Sequence, residues 1–299
     1  MSKEFKISII VNCFNGEKYL SRCLQSIINQ TVNNWELIFF DNKSNDSSKE
    51  IFKKFNDKRF KYFSSPHFMK LYEARNAAVK NINGDFIAFL DCDDWWEPFH
   101  LENANTFFQN EHLAFYYSNA FNYYEKKKKF NLHKKSLPKK NVFESLIDDY
   151  SVKISSLILR RFFLENFGNS IFDKNYNIIG DYDLVIKIAS QYECFTNDIP
   201  SVNCSFHGDN YSLKNRDEYV DEFNMWYEKI DFNNQKFLSK KSIIKDNLFY
   251  INLFSDITAN KELKNLIQIF KVKKFLKKVK LFTIFIMPKF FIKKFLNRY

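Results

Sequence analysis

Along this chain, unbroken apolar runs alternate with stretches whose apolar positions return every three or four residues. Strands buried on both faces inside a parallel sheet need the first pattern, and amphipathic helices give the second. The pattern predicts strands over Lys6–Val11, Trp35–Phe40, Phe60–Phe63 and Phe86–Leu90. Between them it predicts helices over Glu17–Asn29, Ser47–Phe55 and Tyr72–Asn81. Strand and helix alternate, so this half should be a parallel sheet with helices on both faces. Polar residues gather where the strands stop: Asn12 and Asn15, then Asp41, then Asp91, Asp93 and Asp94. In a parallel sheet these ends share the edge at which open α/β folds bind ligands.

Beyond Asp94 the pattern loosens. Pro98 suits the first turn of a helix running to about Phe108. Leu113–Tyr124 is aromatic and strand-like. Lys126–Lys140 reads as a basic surface loop, either a solvated charge run or a loop that meets an acceptor. Val142–Tyr150 reads as a helix, Ile154–Leu159 as a strand, and Gly180–Ile188 as a helix opened by Asp181 and Asp183. A last strand, Ser201–Phe206, closes on His207.

Composition sharpens this picture in three places. The 36 phenylalanines supply ample core, and five Gly with five Pro argue against long disordered linkers. Five cysteines with no CxxC pair suit a reducing compartment and give no sign of a zinc site or disulfide frame. The first residues do not read as a signal peptide, and no apolar run approaches the ~20 residues a membrane-spanning helix needs. The net charge of +11 sits in the tail: Lys264–Tyr299 carries 11 Lys or Arg and no acid. Removing those 11 from 46 basic residues leaves 35 against 35 acidic ones, so residues 1–263 are formally neutral. That balance argues against electrostatic binding of nucleic acid by the main body.

In the tail, apolar residues recur at Leu266, Phe270, Val272, Phe275, Leu276, Val279 and Phe282, with lysines at 273, 274, 277 and 278. Then come the apolar run Leu281–Met287, Pro288, and Phe290–Leu296. This spacing predicts an amphipathic helix with a basic polar face. It fits an anchor lying on anionic lipid, or a terminal helix docked on the catalytic domain or on a second subunit with its lysines in solvent.

The densest chemistry is at Asp91-Cys92-Asp93-Asp94. Carboxylates this close repel one another, and a divalent cation resolves the repulsion; an acidic helix cap is the plainer account. There is no GxGxxG after the first strand and no GxxxxGK[ST] anywhere, which argues against a glycine-rich dinucleotide site and a P-loop. A lone His207 is ordinarily structural or exposed.

Taken in order, Ser8–Asn15, Asn29-Gln30-Thr31, Asp41–Ser44, Ala74-Arg75-Asn76, Phe89–Asp94, Asp181-Tyr182-Asp183-Leu184 and His207-Gly208 resemble the bacterial family-2 glycosyltransferases over roughly residues 5–215. The resemblance implies an α/β GT-A nucleotide-sugar-binding fold, with a mixed, mainly parallel sheet flanked by helices and a C-terminal helical extension. It implies a metal-dependent inverting transfer from a nucleoside-diphosphate sugar, UDP by default, to a glycan or lipid-linked acceptor. Asp91, Asp93 and Asp94 would hold Mg²⁺ or Mn²⁺, with His207 approaching the metal or diphosphate. Asn12, Phe14, Asn15, Glu17, Asp41, Arg75, Asp91, Cys92 and His207 would line the nucleotide-sugar site. Asp181 would be the catalytic base, with Asp183 in reserve. The family often has Glu where this chain has Gly180, and Pro-Thr-Tyr-Asn where it has Asn12-Cys13-Phe14-Asn15.

The expected organisation is a catalytic domain over 1–225, a helical extension over 226–263 and a basic tail over 264–299. The expected setting is cytoplasmic, at the inner face of the cell membrane, without nucleic acid. The competing reading is a non-catalytic GT-A module that binds a nucleotide sugar or glycan.

Overall fold

The computed structural model describes residues 5–288 apart from 165, 166 and 169. The chain forms two compact units, residues 1–146 with 150–205, and residues 147–149 with 206–299.

In the first unit, β1 (Ile7–Cys13), β2 (Trp35–Asp41), β3 (Phe60–Ser64) and β4 (Phe86–Phe89) lie in the order β3-β2-β1-β4. All three pairings are parallel. The crossovers carry α1 (Leu20–Ile28), α2 (Ser48–Lys53) and α3 (Leu71–Val79). Every residue of β2 and β4 is buried, as strands covered on both faces must be. The sheet continues through β5 (Trp95–Trp96), β6 (Leu113–Tyr124), β7 (Lys129–Leu132), β8 (Leu157–Arg160) and β9 (Glu193–Phe206). Beyond β4 the order is β8-β6-β9-β5, and β8 runs antiparallel to both β4 and β6. The sheet is therefore mixed, parallel in its first half. Helices α4 (Asn105–Gln109), α5 (Val142–Asp148), α6 (Arg161–Leu164) and α7 (Gly180–Gln191) complete this part of the chain.

One polar cluster anchors the edge of the sheet where β1, β2 and β4 begin. The Glu36 carboxylate is almost fully buried and accepts from Lys6 Nζ (2.9 Å), Lys61 Nζ (2.7 Å), Ser8 Oγ (2.7 Å) and the Asn83 N–H (2.7 Å). Burial raises its pKa, but the two ammonium groups and the other donors outweigh that and bring it to about 2. Gly84 is required beside this cluster: a Cβ there would lie 2.7 Å from both the Lys6 carbonyl and the Ser8 nitrogen.

Four elements differ from the sequence pattern. The helix expected from Pro98 to Phe108 is a set of turns followed by a 3-10 turn at Glu102–Ala104 and then α4. Tertiary bonds hold that segment instead: His100 Nδ1 meets Ser201 Oγ at 2.8 Å, and Gln30 Oε1 accepts from the Leu101 N–H at 3.1 Å. The loop expected over Lys126–Lys140 contains β7, which forms an antiparallel hairpin with β6 from Phe121↔Leu132 to Tyr124↔Lys129. Its residues are all exposed, so no buried face marks it in the sequence. Ile154–Ser156 is a 3-10 turn and only Leu157–Arg160 is strand. β9 begins at Glu193 rather than Ser201, because its first half is largely exposed and lacks an apolar run.

The second unit holds α8 (Tyr211–Lys214), α9 (Arg216–Glu228), α10 (Gln235–Ala259), α11 (Leu263–Lys271) and α12 (Phe275–Ile286). The tail is two helices rather than one. The break around Val272 lets both pack on α10, so Val272 is buried with Leu253, Ile257, Ile269, Leu281 and Ile284 instead of joining an outer stripe. The segment Phe290–Leu296 lies outside the described residues. No helix among the described residues is long and apolar enough to cross a membrane.

Candidate functional site

The carboxyl ends of β1, β2 and β4 do meet on one edge. Pairing aligns Cys13 with Asp41, and Ile10 with Phe89 just before the acidic turn. At that turn Asp91, Asp93 and Asp94 each place an oxygen within 4.8 Å of the others. Such a set of hard oxygen donors fits a divalent cation of the Mg²⁺ or Mn²⁺ kind.

The three carboxylates are supported differently. Asp91 is ion-paired through Oδ1 to Nη2 of Arg75, whose guanidinium is buried at 2% exposure. Asp91 stays above its ordinary pKa because burial dominates and Asp93 repels it, although Arg75 pulls the other way. Burial alone would lower the Arg75 pKa, but Asp91, Tyr72 and Asp181 around it hold it above its ordinary value. Asp94 is buried and tied down, accepting from Ser155 Oγ (2.6 Å) and from the Ser205 N–H (2.8 Å). Burial, then the charges of Asp93 and Asp91, push its pKa well up. Ser155 Oγ also accepts from the Asp91 N–H at 3.1 Å, so one hydroxyl braces both ends of the turn. Arg22 braces the middle, donating to the Asp93 carbonyl (3.3 Å), Glu125 Oε1 (2.6 Å) and Ser205 Oγ (2.8 Å) while its guanidinium lies 3.7 Å from the Trp95 ring centre.

Helix α3 connects this turn to Asp181. Arg75 reaches Asp91 from it. Asn76 clamps the Phe172 backbone from both sides (2.8 and 3.0 Å), and the Leu71 N–H donates to Asn177 Oδ1 (2.9 Å). Those bonds hold the segment leading into α7, whose first turn carries Asp181. Tyr72 on the same helix donates its hydroxyl to Asp181 Oδ1 at 2.9 Å. Asp181 is half-buried, and burial raises its pKa against the pull of Arg75 and Tyr72. Asp183 faces elsewhere: it is buried and ion-paired with Lys187 at 2.7 Å. The Gly180 position has a steric reason as well. A Cβ there would come within 2.5 Å of the Tyr72 ring.

The remaining candidates lie along the β1 and β2 ends. Both polar side-chain atoms of Asn12 are buried with no hydrogen-bond partner among the described residues. Phe14 is 49% exposed and packs against Phe68, 57% exposed, with ring centres 4.7 Å apart. Asn42 holds the segment that carries Phe68, bonding both the N–H and carbonyl of Met69. Asp41 is buried, accepting from Tyr62 Oη (2.6 Å) and the Ser44 N–H (2.8 Å). Asn15 and Glu17 stitch the two loops together: Asn15 Oδ1 accepts from the Asn45 N–H and Glu17 Oε2 from the Ser47 N–H, both at 2.9 Å. Asn15 has φ 53°, a left-handed conformation that Asn tolerates better than most residues. The thiol of Cys92 lies against that of Cys13, and Gly16 covers both. His207 belongs to the second unit, where its Nδ1 accepts from the Asp209 N–H at 3.1 Å and its own N–H donates to Asn210 Oδ1 at 2.6 Å.

Sequence reasoning missed Tyr72, Phe68, Ser155 and Arg22. Only Phe68, an isolated aromatic in a polar segment, leaves a trace in the pattern. The others look like ordinary helix or loop residues until their distant partners are in place.

The family model for glycosyl transferase family 2 matches residues 8–168. The chain is 29% identical, over 70% of its length and 78% of the relative's, to the Escherichia coli UDP-Glc:alpha-D-GlcNAc-diphosphoundecaprenol beta-1,3-glucosyltransferase WfgD. Its fold is similar to that of Staphylococcus aureus TarS 1–349 in complex with UDP-GlcNAc, with TM-score 0.67 and 18% identity over 93% of this chain and 83% of that one. It is similar too to the Pyrobaculum calidifontis mannosyltransferase PcManGT in complex with GDP-Man and Mn²⁺, with TM-score 0.60 and 13% identity over 100% of this chain and 88% of that one.

Proposed function

The chain belongs to glycosyl transferase family 2 and is a glycosyltransferase of GT-A fold, and from that premise we propose a metal-dependent, inverting transfer of a sugar from a UDP-linked donor to a hydroxyl of a lipid-linked glycan in surface-polysaccharide synthesis. The observation that carries this reading is the joining of the acidic turn and Asp181 through one helix, α3. Binding a leaving diphosphate and activating an acceptor need separate carboxylates, and here they are separate and held by a common support. The donor and acceptor classes are suggested by the name of the WfgD relative.

In this reading Asp181 takes the proton of the acceptor hydroxyl as its oxygen attacks the anomeric carbon. The bond from that carbon to the phosphate oxygen breaks, and the nucleoside diphosphate leaves from the opposite face. A carboxylate whose pKa is raised by burial is a better proton acceptor near neutral pH. Asp91, Asp93 and Asp94 would hold Mg²⁺ or Mn²⁺; a cation there would stabilise negative charge on the departing diphosphate. Arg75 fixes the orientation of Asp91. The unpartnered Asn12 amide, Asp41 and the exposed Phe14–Phe68 pair suit the nucleotide. In a panel of UDP-, GDP- and dTDP-sugars, one donor is consumed with Mg²⁺ or Mn²⁺ and spared in EDTA. Saturable donor binding without hydrolysis or transfer would instead identify a non-catalytic binding module.

The reaction belongs at an anionic membrane surface, met by the second unit. Helices α11 and α12 are apolar on two sides. One side packs on α10. The other leaves Leu263, Ile267, Phe270, Phe275, Leu276 and Ile286 each at least 65% exposed. Residues 263–286 carry seven lysines and no acid, which suits anionic lipid. The protein is expected to pellet with phosphatidylglycerol vesicles and not with phosphatidylcholine alone. The double change Phe275→Ser and Leu276→Ser removes that binding; pelleting unaffected by it, or a shift in dimerisation alone, refutes the surface assignment.

A further inference from the structure

We infer that Tyr72 is a positioning residue for Asp181, reaching it through space that Gly180 leaves open. The inference rests on the reading of Asp181 as the base.

Tyr72 is 2% exposed, and its ring packs against Phe172 with centres 5.0 Å apart. The ring therefore cannot swing toward solvent. Its hydroxyl has one hydrogen and two acceptors, Asp181 Oδ1 at 2.9 Å and the Ile178 carbonyl at 3.2 Å. The shorter bond goes to the carboxylate, where charge makes it stronger. While Asp181 is ionised, the hydroxyl holds Oδ1, and the backbone N–H groups of Asp181 and Tyr182 also favour the charged carboxylate. Once Asp181 has taken a proton, the Tyr72 hydrogen can turn to the Ile178 carbonyl. The buried hydroxyl is satisfied in both protonation states, so proton uptake strands no polar group.

Gly180 makes this possible. Its missing Cβ would lie 2.5 Å from Cδ2, 2.6 Å from Cγ and 2.7 Å from Cε2 of Tyr72, all ring carbons on a rigid buried side chain. Any larger residue at 180 displaces the ring and with it the hydroxyl. The charged and titratable groups acting on Asp181 are Tyr72 and Arg75 from α3, Asp91 from the turn after β4, and Tyr150. Tyr72 and Arg75 favour the ionised carboxylate, whereas Asp91 and burial oppose it.

The test is Tyr72→Phe, which keeps the ring and removes only the hydroxyl. With UDP-glucose and a GlcNAc-diphosphate lipid as probes, kcat is expected to fall on the order of tenfold, the size of a lost hydrogen bond to a charged group. The donor KM is expected to hold. Loss of the donor raises the Asp181 pKa, so the acid limb of the kcat profile moves up by about one pH unit. A direct titration of the ¹³C-labelled carboxyl by NMR reports the same shift without any turnover. An unmoved carboxyl titration in folded Tyr72→Phe overturns the inference. Full transfer by Asp181→Asn overturns the base reading instead, and the carboxyl titration still decides what Tyr72 does.

Discussion

Replacing Asp181 with Asn removes transfer while donor binding survives. The amide keeps the size of the side chain and can still accept from Tyr72, so the first turn of α7 holds its place. What is lost is a group that accepts a proton. A positioned general base contributes roughly 10²–10⁴-fold, so transfer falls by that factor. Titration of UDP in the presence of Mn²⁺ should give the same affinity as the native protein. Transfer at the native rate would remove Asp181 from the mechanism. Asp183 is a poor substitute, since it is buried and already neutralised by Lys187.

Replacing Asp93 with Ala should abolish metal-dependent nucleotide binding. Asp91 is held by Arg75, and Asp94 is occupied by Ser155 and Ser205, so both carry structural duties beside any ligand role. The Asp93 carboxylate completes the group of three at 4.8 Å, and its backbone is fixed by Arg22. Loss of a supporting residue typically costs about 10–100-fold in metal affinity, and loss of a ligand itself should exceed that. Calorimetric titration of UDP with and without Mn²⁺ measures it. Equal binding by the variant and the native protein, or native binding that ignores EDTA, would end the metal assignment. The variant is expected to keep its fold, because the bracing of the turn runs through Asp91, Asp94 and the Asp93 carbonyl.

Much of the catalytic half was legible beforehand, for a physical reason. A strand covered on both faces must be apolar throughout, so β1, β2 and β4 announce themselves as runs. Their parallel order follows from the helices between them, and parallel order alone brings Asn12, Asp41 and Asp91 to one edge. The acidic turn was visible because its members are contiguous in sequence. Elements that do not bury a face were not legible. β7 is strand only because β6 lies beside it, and its four exposed residues carry no alternation to read. The tail was read as one stripe because spacing reports which positions avoid water, not which of two surfaces covers them.

The sequence by itself determined the strand–helix alternation, the acid-ended β4 and the neutral body with its basic tail, because each is a property of neighbouring residues. Only the tertiary structure decided which distant groups hold each carboxylate. Tyr72 and Asp181 stand 109 residues apart, Arg22 and Ser205 183 apart, and Asp94 and Ser205 111 apart. Partners at such distances along the chain leave no periodic trace, since what selects them is the hydrogen bonding of groups that folding buries together.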